Sequence, residues 1–190
     1  MIKRTLLALT ACIAALPAAA DWSIDSEHSS LNFLTTKNAQ VTEVHSFDAL
    51  SGVLSNDGEL TVKVPLSSVN TNIDIRNTRM QEMLFETTTY PDATFTASIP
   101  DDLLTMSAGD SKTASVSGEI SLHGVTAPAT FNVVVNQLSD HTITVATTAP
   151  TVINAATFNL DGGVKALQTV AKLSSITLAV PVSFSISLVN

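Results

Sequence analysis

The sequence predicts an all-β chain of antiparallel strands, and three observations support this fold class. Apolar residues alternate with Thr and Ser along several segments, such as 93–99 and 178–188, and this period of two places one face of a strand in a core. Gly, Asn, Asp and Pro interrupt the chain between these segments. The segments are short, as strands usually are. Short strands joined by such turns are typical of a sandwich or a barrel.

The predicted strands follow one another along the chain. They fall at 30–35, 53–54, 60–64, 93–99, 114–122, 129–135, 143–147 and 178–188. Asp57-Gly58 predicts the turn of one hairpin, and His123-Gly124 predicts the corner of another. The inward positions carry many small or medium side chains. An eight-stranded barrel can be filled by side chains or can hold one small ligand, and this composition favours a cavity.

The segment 71–95 breaks the strand pattern and predicts a short helix. Thr78 and Gln81 have the spacing of a capping box, which predicts the helix start. Pro91 disfavours helix at the residue before it, so the helix, predicted over 78–85, does not continue past Tyr90-Pro91. Helical spacing predicts an apolar face formed by Met80, Met83 and Leu84, with Phe85 beside them. A Met-rich helix inserted in a β chain suggests a lid over an apolar interior, and 164–172 predicts a second short helix.

The first twenty residues have the pattern of a secretory signal peptide. Lys3 and Arg4 precede an apolar run, and the small residues at 17–20 complete an A-x-A type of cleavage site. The mature chain is therefore predicted to be a single domain of residues 21–190. A competing interpretation is a lipoprotein cleavage box ending at Cys12, but the apolar run before it is short. Cys12 is the only cysteine, so the mature domain would contain no disulfide.

The charge balance excludes some partners. The chain carries 9 basic and 17 acidic residues, for a net charge of −8. An acidic chain is a poor match for the phosphates of nucleic acid, and its overall charge also argues against electrostatic docking on anionic lipid. No apolar stretch after the signal peptide is long and unbroken enough to predict a transmembrane helix.

Catalytic and metal signals are weak. Glu43 and His45 share one face of a predicted strand, but two ligands do not make a metal site. The sequence contains no nucleophile elbow and no glycine-rich phosphate loop. It therefore predicts no metal, no cofactor and no enzymatic activity.

Arg76 and Arg79 are three residues apart, so on a helix they lie nearly side by side. One hypothesis is a cationic clamp for a phosphate or amide head group at the mouth of the cavity. The alternative is local pairing with Glu82 or Glu86, or simple exposure.

Several short motifs, in their order and spacing, resemble the YceI-like family of periplasmic proteins. The matching residues are Trp22-Ser23-Ile24-Asp25, His28-Ser29, Phe47, Gly52, Ser68-Val69-Asn70-Thr71, Arg76-Asn77, Arg79-Met80, Leu84-Phe85, Tyr90-Pro91, Phe95 and the run from Gly118 to Thr126. The resemblance covers most of residues 21–190. Around the predicted mouth, the chain has Asn77, Arg79 and Met80 where the family usually has Asp, His and Leu, and Ser46 where it usually has Gly.

The resemblance implies a lipocalin-like antiparallel barrel of about eight strands, with one or two short helices at its mouth, that binds a polyisoprenoid lipid in the periplasm. It implies no catalysis. Its ligand, a quinone or polyprenyl lipid, would be the only bound group. Alternatives are an enzyme that acts on such a lipid and a ligand-free stress-response or interaction module, and a homodimer is left open. The predicted ligand-binding residues are Phe33, Phe47, Arg76, Arg79, Met80, Met83, Leu84, Phe85, Phe95, Val116, Ile120 and Phe131.

Overall fold

The computed structural model describes residues 21–190, and the predicted signal peptide lies outside the described residues. Eleven strands occur in this part of the chain. They are β1 (Trp22–Lys37), β2 (Val41–Phe47), β3 (Ser51–Leu54), β4 (Glu59–Pro65), β5 (Val69–Asn70), β6 (Asp92–Ser98), β7 (Ser111–Leu122), β8 (Val125–Ser139), β9 (Thr142–Thr147), β10 (Thr151–Asn154) and β11 (Ala179–Val189).

Eight of these strands close an antiparallel barrel. The order around the ring is β1, β3, β4, β6, β7, β8, β9 and β11, and β11 pairs with β1 to complete it. The start of β1 pairs with β3, whereas its second half pairs with β2, so β2 and β5 extend the sheet at one end of the barrel. Closure removes the unpaired edges of the ring. The predicted fold class is confirmed.

The predicted turns also occur. Gly58, between β3 and β4, has a φ of 85°, and a positive φ carries little cost for a residue without a Cβ. His123 and Gly124 join β7 to β8 with φ angles of 51° and 75°, which is the backbone conformation that a two-residue hairpin turn requires.

Three short α-helices cross the ends of the barrel. They are α1 (Asp74–Arg79), α2 (Asp101–Leu104) and α3 (Asp161–Val170), and a π-helix (Met80–Leu84) continues α1 without a break. We call α1 and the π-helix together the mouth helix, residues 74–84. No helix within residues 21–190 has the length and apolar character needed to cross a bilayer.

The predicted start of the mouth helix is wrong, whereas its predicted end lies within one residue of the observed end. The helix begins at Asp74, four residues before Thr78, and no side chain caps it. The Thr78 hydroxyl donates to the carbonyl oxygen of Asp74 at 3.1 Å, and the Gln81 amide donates to the carbonyl of Ser67. These two side chains bond inside the helix and across to a neighbouring turn, so they form no capping box. The helix ends at Leu84, one residue before the predicted end at Phe85, and Glu86 follows with a φ of 50°.

The barrel contains two groups of packed apolar side chains. One lies under the mouth helix and α3 and includes Phe33, Leu84 and Phe158. The other lies towards α2 and includes Leu103 and Phe131. Both groups border one interior cavity, which is the candidate site.

Candidate functional site: an apolar cavity in the barrel

The barrel encloses a cavity of about 570 Å³, which falls within the usual size range of small-molecule sites. Side chains from the barrel strands, the mouth helix and α3 form its wall. Most of them are Leu, Ile, Val or Phe. The polar lining residues are Thr35, Lys37, Glu43, His45, Arg76, Arg79, Thr94 and Thr177.

Alternation along β1 and β2 explains why polar groups gather at one end. Leu31, Phe33, Thr35 and Lys37 are spaced by two along β1, and all four line the cavity. The residues that pair with them on β2 also change from apolar to polar towards the hairpin tip. Leu31 pairs with Phe47, Phe33 with His45, and Thr35 with Glu43. The wall therefore changes from apolar to polar towards the tip of the β1–β2 hairpin.

The exposed lining residues locate the mouth of the cavity at this polar end. Within residues 21–190, four cavity-lining residues are exposed, and these are Ile73, Ile75, Val170 and Ala171. The loop after α3 lies against the hairpin, since the Asn38 N–H donates to Ser175 and the Thr177 N–H donates to Thr36. Three segments thus surround the mouth: the hairpin tip, the start of the mouth helix, and the end of α3 with its following loop.

Glu43 is the centre of an ion-pair cluster beside the mouth. Its Oε2 atom accepts hydrogen bonds from Lys37 Nζ at 2.5 Å and from Arg76 Nη1 at 2.9 Å. The Lys37 hydrogen bond, aided by the charge of Arg76, lowers the pKa of the Glu43 carboxyl. Local pairing of Arg76 with Glu82 or Glu86 is therefore wrong. Its partner lies on β2, so this ion pair joins the mouth helix to the barrel wall.

His45 is buried behind this cluster. Its Nε2 atom lies 3.0 Å from the Thr35 hydroxyl, and its ring packs 5.3 Å from that of Phe33. Burial lowers the pKa of His45, and the charge of Arg76 adds to this, whereas Glu43 opposes it. The ring is therefore neutral at pH 7, and its buried Nδ1 atom has no hydrogen-bond partner among residues 21–190.

Arg79 differs from Arg76 because its charge is unpaired. It lines the cavity, yet it forms no ion pair with any carboxylate in the described part of the chain. A half-buried guanidinium with free N–H groups at the entrance of an apolar cavity can bind an anionic or carbonyl oxygen of a ligand.

Eleven of the twelve predicted ligand-binding residues line the cavity, and these are Phe33, Phe47, Arg76, Arg79, Met80, Leu84, Phe85, Phe95, Val116, Ile120 and Phe131. Met83 does not, so its place in the predicted lining is wrong. The π-helix is the reason: the Phe85 N–H donates to the carbonyl of Met80, five residues back. This wider turn brings Met80, Leu84 and Phe85 to one face, whereas α-helical spacing had selected Met83.

Thr35 and Lys37 line the cavity but are not among the predicted site residues, and Glu43 and His45 were predicted only as a weak metal pair. All four occupy inward positions in the period-two pattern of β1 and β2. Extending that alternation to the hairpin tip would have found them. Residues 21–190 contain no group of three His, Cys, Asp or Glu side chains placed to hold a metal ion.

Comparisons with known proteins agree with this fold. A polyisoprenoid-binding domain from Saccharophagus degradans, implicated in plant cell wall breakdown, is 38% identical over 88% of this chain and 97% of its own, with a TM-score of 0.85. Burkholderia cenocepacia BcnA has a TM-score of 0.66 over 86% of this chain and 98% of its own, but at 19% identity it supports the fold alone. No protein with a curated description matches the chain.

A family model also matches almost the whole of the described chain. The model of the YceI-like domain aligns with residues 22–188, which include the mouth helix, α3 and every strand of the barrel except the last residue of β11. The motifs that suggested the resemblance all lie within this range. The chain belongs to the YceI-like domain family.

Proposed function

We propose that this protein is a periplasmic carrier that holds one long-chain isoprenoid lipid, of the quinone or polyprenyl type, inside the barrel. The observation that carries the proposal is the apolar cavity, whose polar residues lie almost entirely at its mouth. The related domain from Saccharophagus degradans, which is described as polyisoprenoid-binding, supports the same class of ligand.

The cavity wall suits an apolar chain because burial of the chain would supply most of the binding free energy. Removing apolar surface from water contributes roughly 25 cal/mol per Å². The far part of the cavity presents the rings of Phe95, Phe131 and Phe184, with neighbouring centroids 5.2 and 5.4 Å apart. A polar head group placed there would lose its hydrogen bonds to water without replacement. The tail is therefore expected to point towards Phe131 and the head group towards the mouth.

Arg79 is the residue best placed to contact the head group. Arg76 and Lys37 already donate hydrogen bonds to the Glu43 carboxylate, so the unpaired guanidinium of Arg79 would meet a phosphate or a quinone carbonyl first. This contact is partly exposed to solvent, and hydrogen bonds of that kind contribute modestly. Arg79 should therefore set head-group preference, with a smaller effect on affinity.

A second candidate function is an enzyme that acts on such a lipid, and the contact between Thr35 and His45 is the observation that favours it. A base must be oriented through its second nitrogen to activate a hydroxyl. Here Glu43 lies 3.8 Å from the same Nε2 atom that contacts Thr35, and Nδ1 has no partner within residues 21–190. This arrangement supports binding better than nucleophilic catalysis.

The test is organic extraction of the purified, folded protein followed by mass spectrometry. We expect one isoprenoid lipid per protein chain, and a recovered reaction product would favour the enzyme instead. Leu84→Asp places a carboxylate in the cavity wall and should abolish lipid recovery, because the charge would be desolvated without a partner. Arg79→Ala should only lower it.

Met83→Asp is the matched control for Leu84→Asp. The two residues are adjacent in the mouth helix, but Met83 is half-buried outside the cavity lining, so its carboxylate can reach water. This variant should retain its lipid. Wild-type lipid content in folded Leu84→Asp would contradict the proposal.

A further inference from the structure

Exposed apolar side chains surround the mouth of the cavity. Val41 at the hairpin tip is 50% exposed, Ile73 and Ile75 at the start of the mouth helix are 44% and 58% exposed, and Val170 at the end of α3 is 40% exposed. We call these four residues the apolar rim. Ile73, Ile75 and Val170 also line the cavity, so the apolar surface is continuous from the outside of the protein to the interior of the barrel.

The charges of the domain are unevenly distributed around this rim. The three mouth segments, 37–43, 73–79 and 168–177, contain four cations, Lys37, Arg76, Arg79 and Lys172, but only two carboxylates, Glu43 and Asp74. The rest of residues 21–190 contains three cations and fifteen carboxylates. The mouth is therefore locally basic on a strongly acidic domain. The overall negative charge by itself argues against docking on anionic lipid. It does not show that the mouth carries more cations than carboxylates.

We infer that the mouth docks on a lipid bilayer with anionic head groups, with the apolar rim inserted among the lipids. Apolar side chains flanked by cations are the combination that binds peripheral proteins to such surfaces. The negative potential of the bilayer attracts the basic mouth and repels the acidic remainder, so both effects turn the mouth towards the membrane.

A second copy of the chain is a less suitable occupant of this surface. A twofold dimer brings the same patch of both subunits together. Mouth-to-mouth contact would therefore bring the basic mouths of both subunits together, including Arg79 and Lys172 of each, which is repulsive. A bilayer with anionic head groups matches both the apolar side chains and the charge.

This inference rests on the proposed function only for what docking would achieve, which is transfer of the lipid. If the cavity holds an isoprenoid lipid, docking by the mouth would let the lipid pass between bilayer and barrel along apolar surface, without exposing its tail to water. The docking itself can be measured separately, because Val41 and Lys172 do not line the cavity.

The experiment is flotation of the protein with vesicles made of equal parts phosphatidylcholine and phosphatidylglycerol, and with vesicles of phosphatidylcholine alone. We expect binding to the mixed vesicles and much weaker binding to the neutral ones. Lys172→Glu should weaken binding to the mixed vesicles at least about fivefold, since each cation near an anionic surface contributes about 1 kcal/mol. Val41→Asp should weaken binding on both kinds of vesicle.

Matched controls lie on the barrel far along the chain from the mouth segments. Leu138→Asp changes an apolar side chain that is 60% exposed, and Lys112→Glu reverses the charge of a partly exposed lysine that pairs with Asp102. Both should bind vesicles as the wild type does. Equal losses in Val41→Asp and Leu138→Asp would overturn the inference, and so would a wild-type protein that stays unbound on the mixed vesicles.

Two further measurements separate the possible failures. Lipid extraction from Val41→Asp should recover the wild-type amount, so lost vesicle binding with retained lipid supports docking. Absence of lipid from every variant would contradict the proposed function, whereas the flotation result would still decide docking. Light scattering that shows a dimer of the wild type and a monomer of Val41→Asp would identify a second copy as the occupant and overturn the inference.

Discussion

His45 shows how a single inward-facing position can depart from the apolar pattern of a barrel. Its neighbours on the same face are Phe33 and Phe47, and the rings of these three residues are in contact. The imidazole is buried, holds one hydrogen bond to Thr35 and keeps a buried nitrogen without a partner among the described residues. Such a group is tolerated only in its neutral form, because a buried charge is costly.

This environment predicts a pH dependence of stability. The folded pKa of His45 is lowered, so the unfolded chain binds a proton more readily than the folded chain does. The contribution of neutral His45 is then full above its unfolded pKa, about 6.5, and declines as the pH falls below that value. Glu43 also has a lowered pKa, but its contribution is lost only at more acidic pH, as the pH falls through its folded pKa.

The measurement is the free energy of unfolding of lipid-free protein at about pH 7.5 and about pH 5.5, on either side of the ordinary histidine pKa. The wild type should lose more stability over this interval than His45→Gln does. His28, His123 and His141 are present in both proteins, so their effects cancel in the comparison. Equal losses would show that His45 is not desolvated in the folded state.

The change from α-helix to π-helix within the mouth helix decides which of its side chains face the cavity. Met80, Leu84 and Phe85 reach the cavity because the chain is π-helical there. The helix is held from two sides, by the ion pair of Arg76 with Glu43 and by α3. At Gly163, α3 approaches the backbone of the mouth helix so closely that an added Cβ would lie 2.7 Å from the Met83 carbonyl oxygen.

The glycine pair at the start of α3 allows a matched test of this contact. Gly163→Ala should destabilise the domain by about 1–3 kcal/mol, as overpacking usually does, and should lower lipid retention by displacing Leu84. Gly162→Ala meets no atom within 4 Å, so it should be neutral or stabilising, by up to about 1 kcal/mol from helix propensity. Urea unfolding of both variants checks the difference, and equal stabilities would show that α3 does not constrain the mouth helix.

At the scale of the whole molecule, barrel closure brings together segments that are far apart in sequence. The mouth combines residues near 40, 75 and 172, and the two groups of core side chains border one cavity between them. Closure also gathers four cations in the mouth segments, whereas fifteen of the seventeen carboxylates lie outside those segments. The barrel therefore has an apolar, basic mouth.

For the molecule as a whole, we predict that the mature chain begins at Asp21. Asp21 directly precedes β1 and accepts hydrogen bonds at 3.3 Å from the backbone and the side chain of Asn56, and the A-x-A pattern ends at Ala20. N-terminal sequencing of the periplasmic fraction should therefore read Asp-Trp-Ser-Ile. A lipid-modified N-terminus at Cys12 would contradict the predicted cleavage site.

The sequence by itself determined the fold class, the antiparallel strands, the Asp57-Gly58 and His123-Gly124 turns, the presence of a helix near Met80 and the family. It also identified eleven residues of the cavity wall. These features depend on local patterns, because alternation, turn chemistry and motif order can be read within a few residues. The same alternation continues past the predicted strand 30–35 to Lys37, so this lining residue could also have been predicted from the sequence.

Only the tertiary structure decided the π-helical turn, the partner of Arg76, the location of the mouth and the basic rim. Met83 lies outside the cavity because the backbone hydrogen bonds of this turn span five residues, as in a π-helix, and not four, as in an α-helix. No side-chain pattern in the segment distinguishes the two helix types. Glu43 is 33 residues from Arg76, and Lys172 is farther from both. Contacts at such separations depend on how the barrel closes, and the physical properties of the mouth arise from that closure.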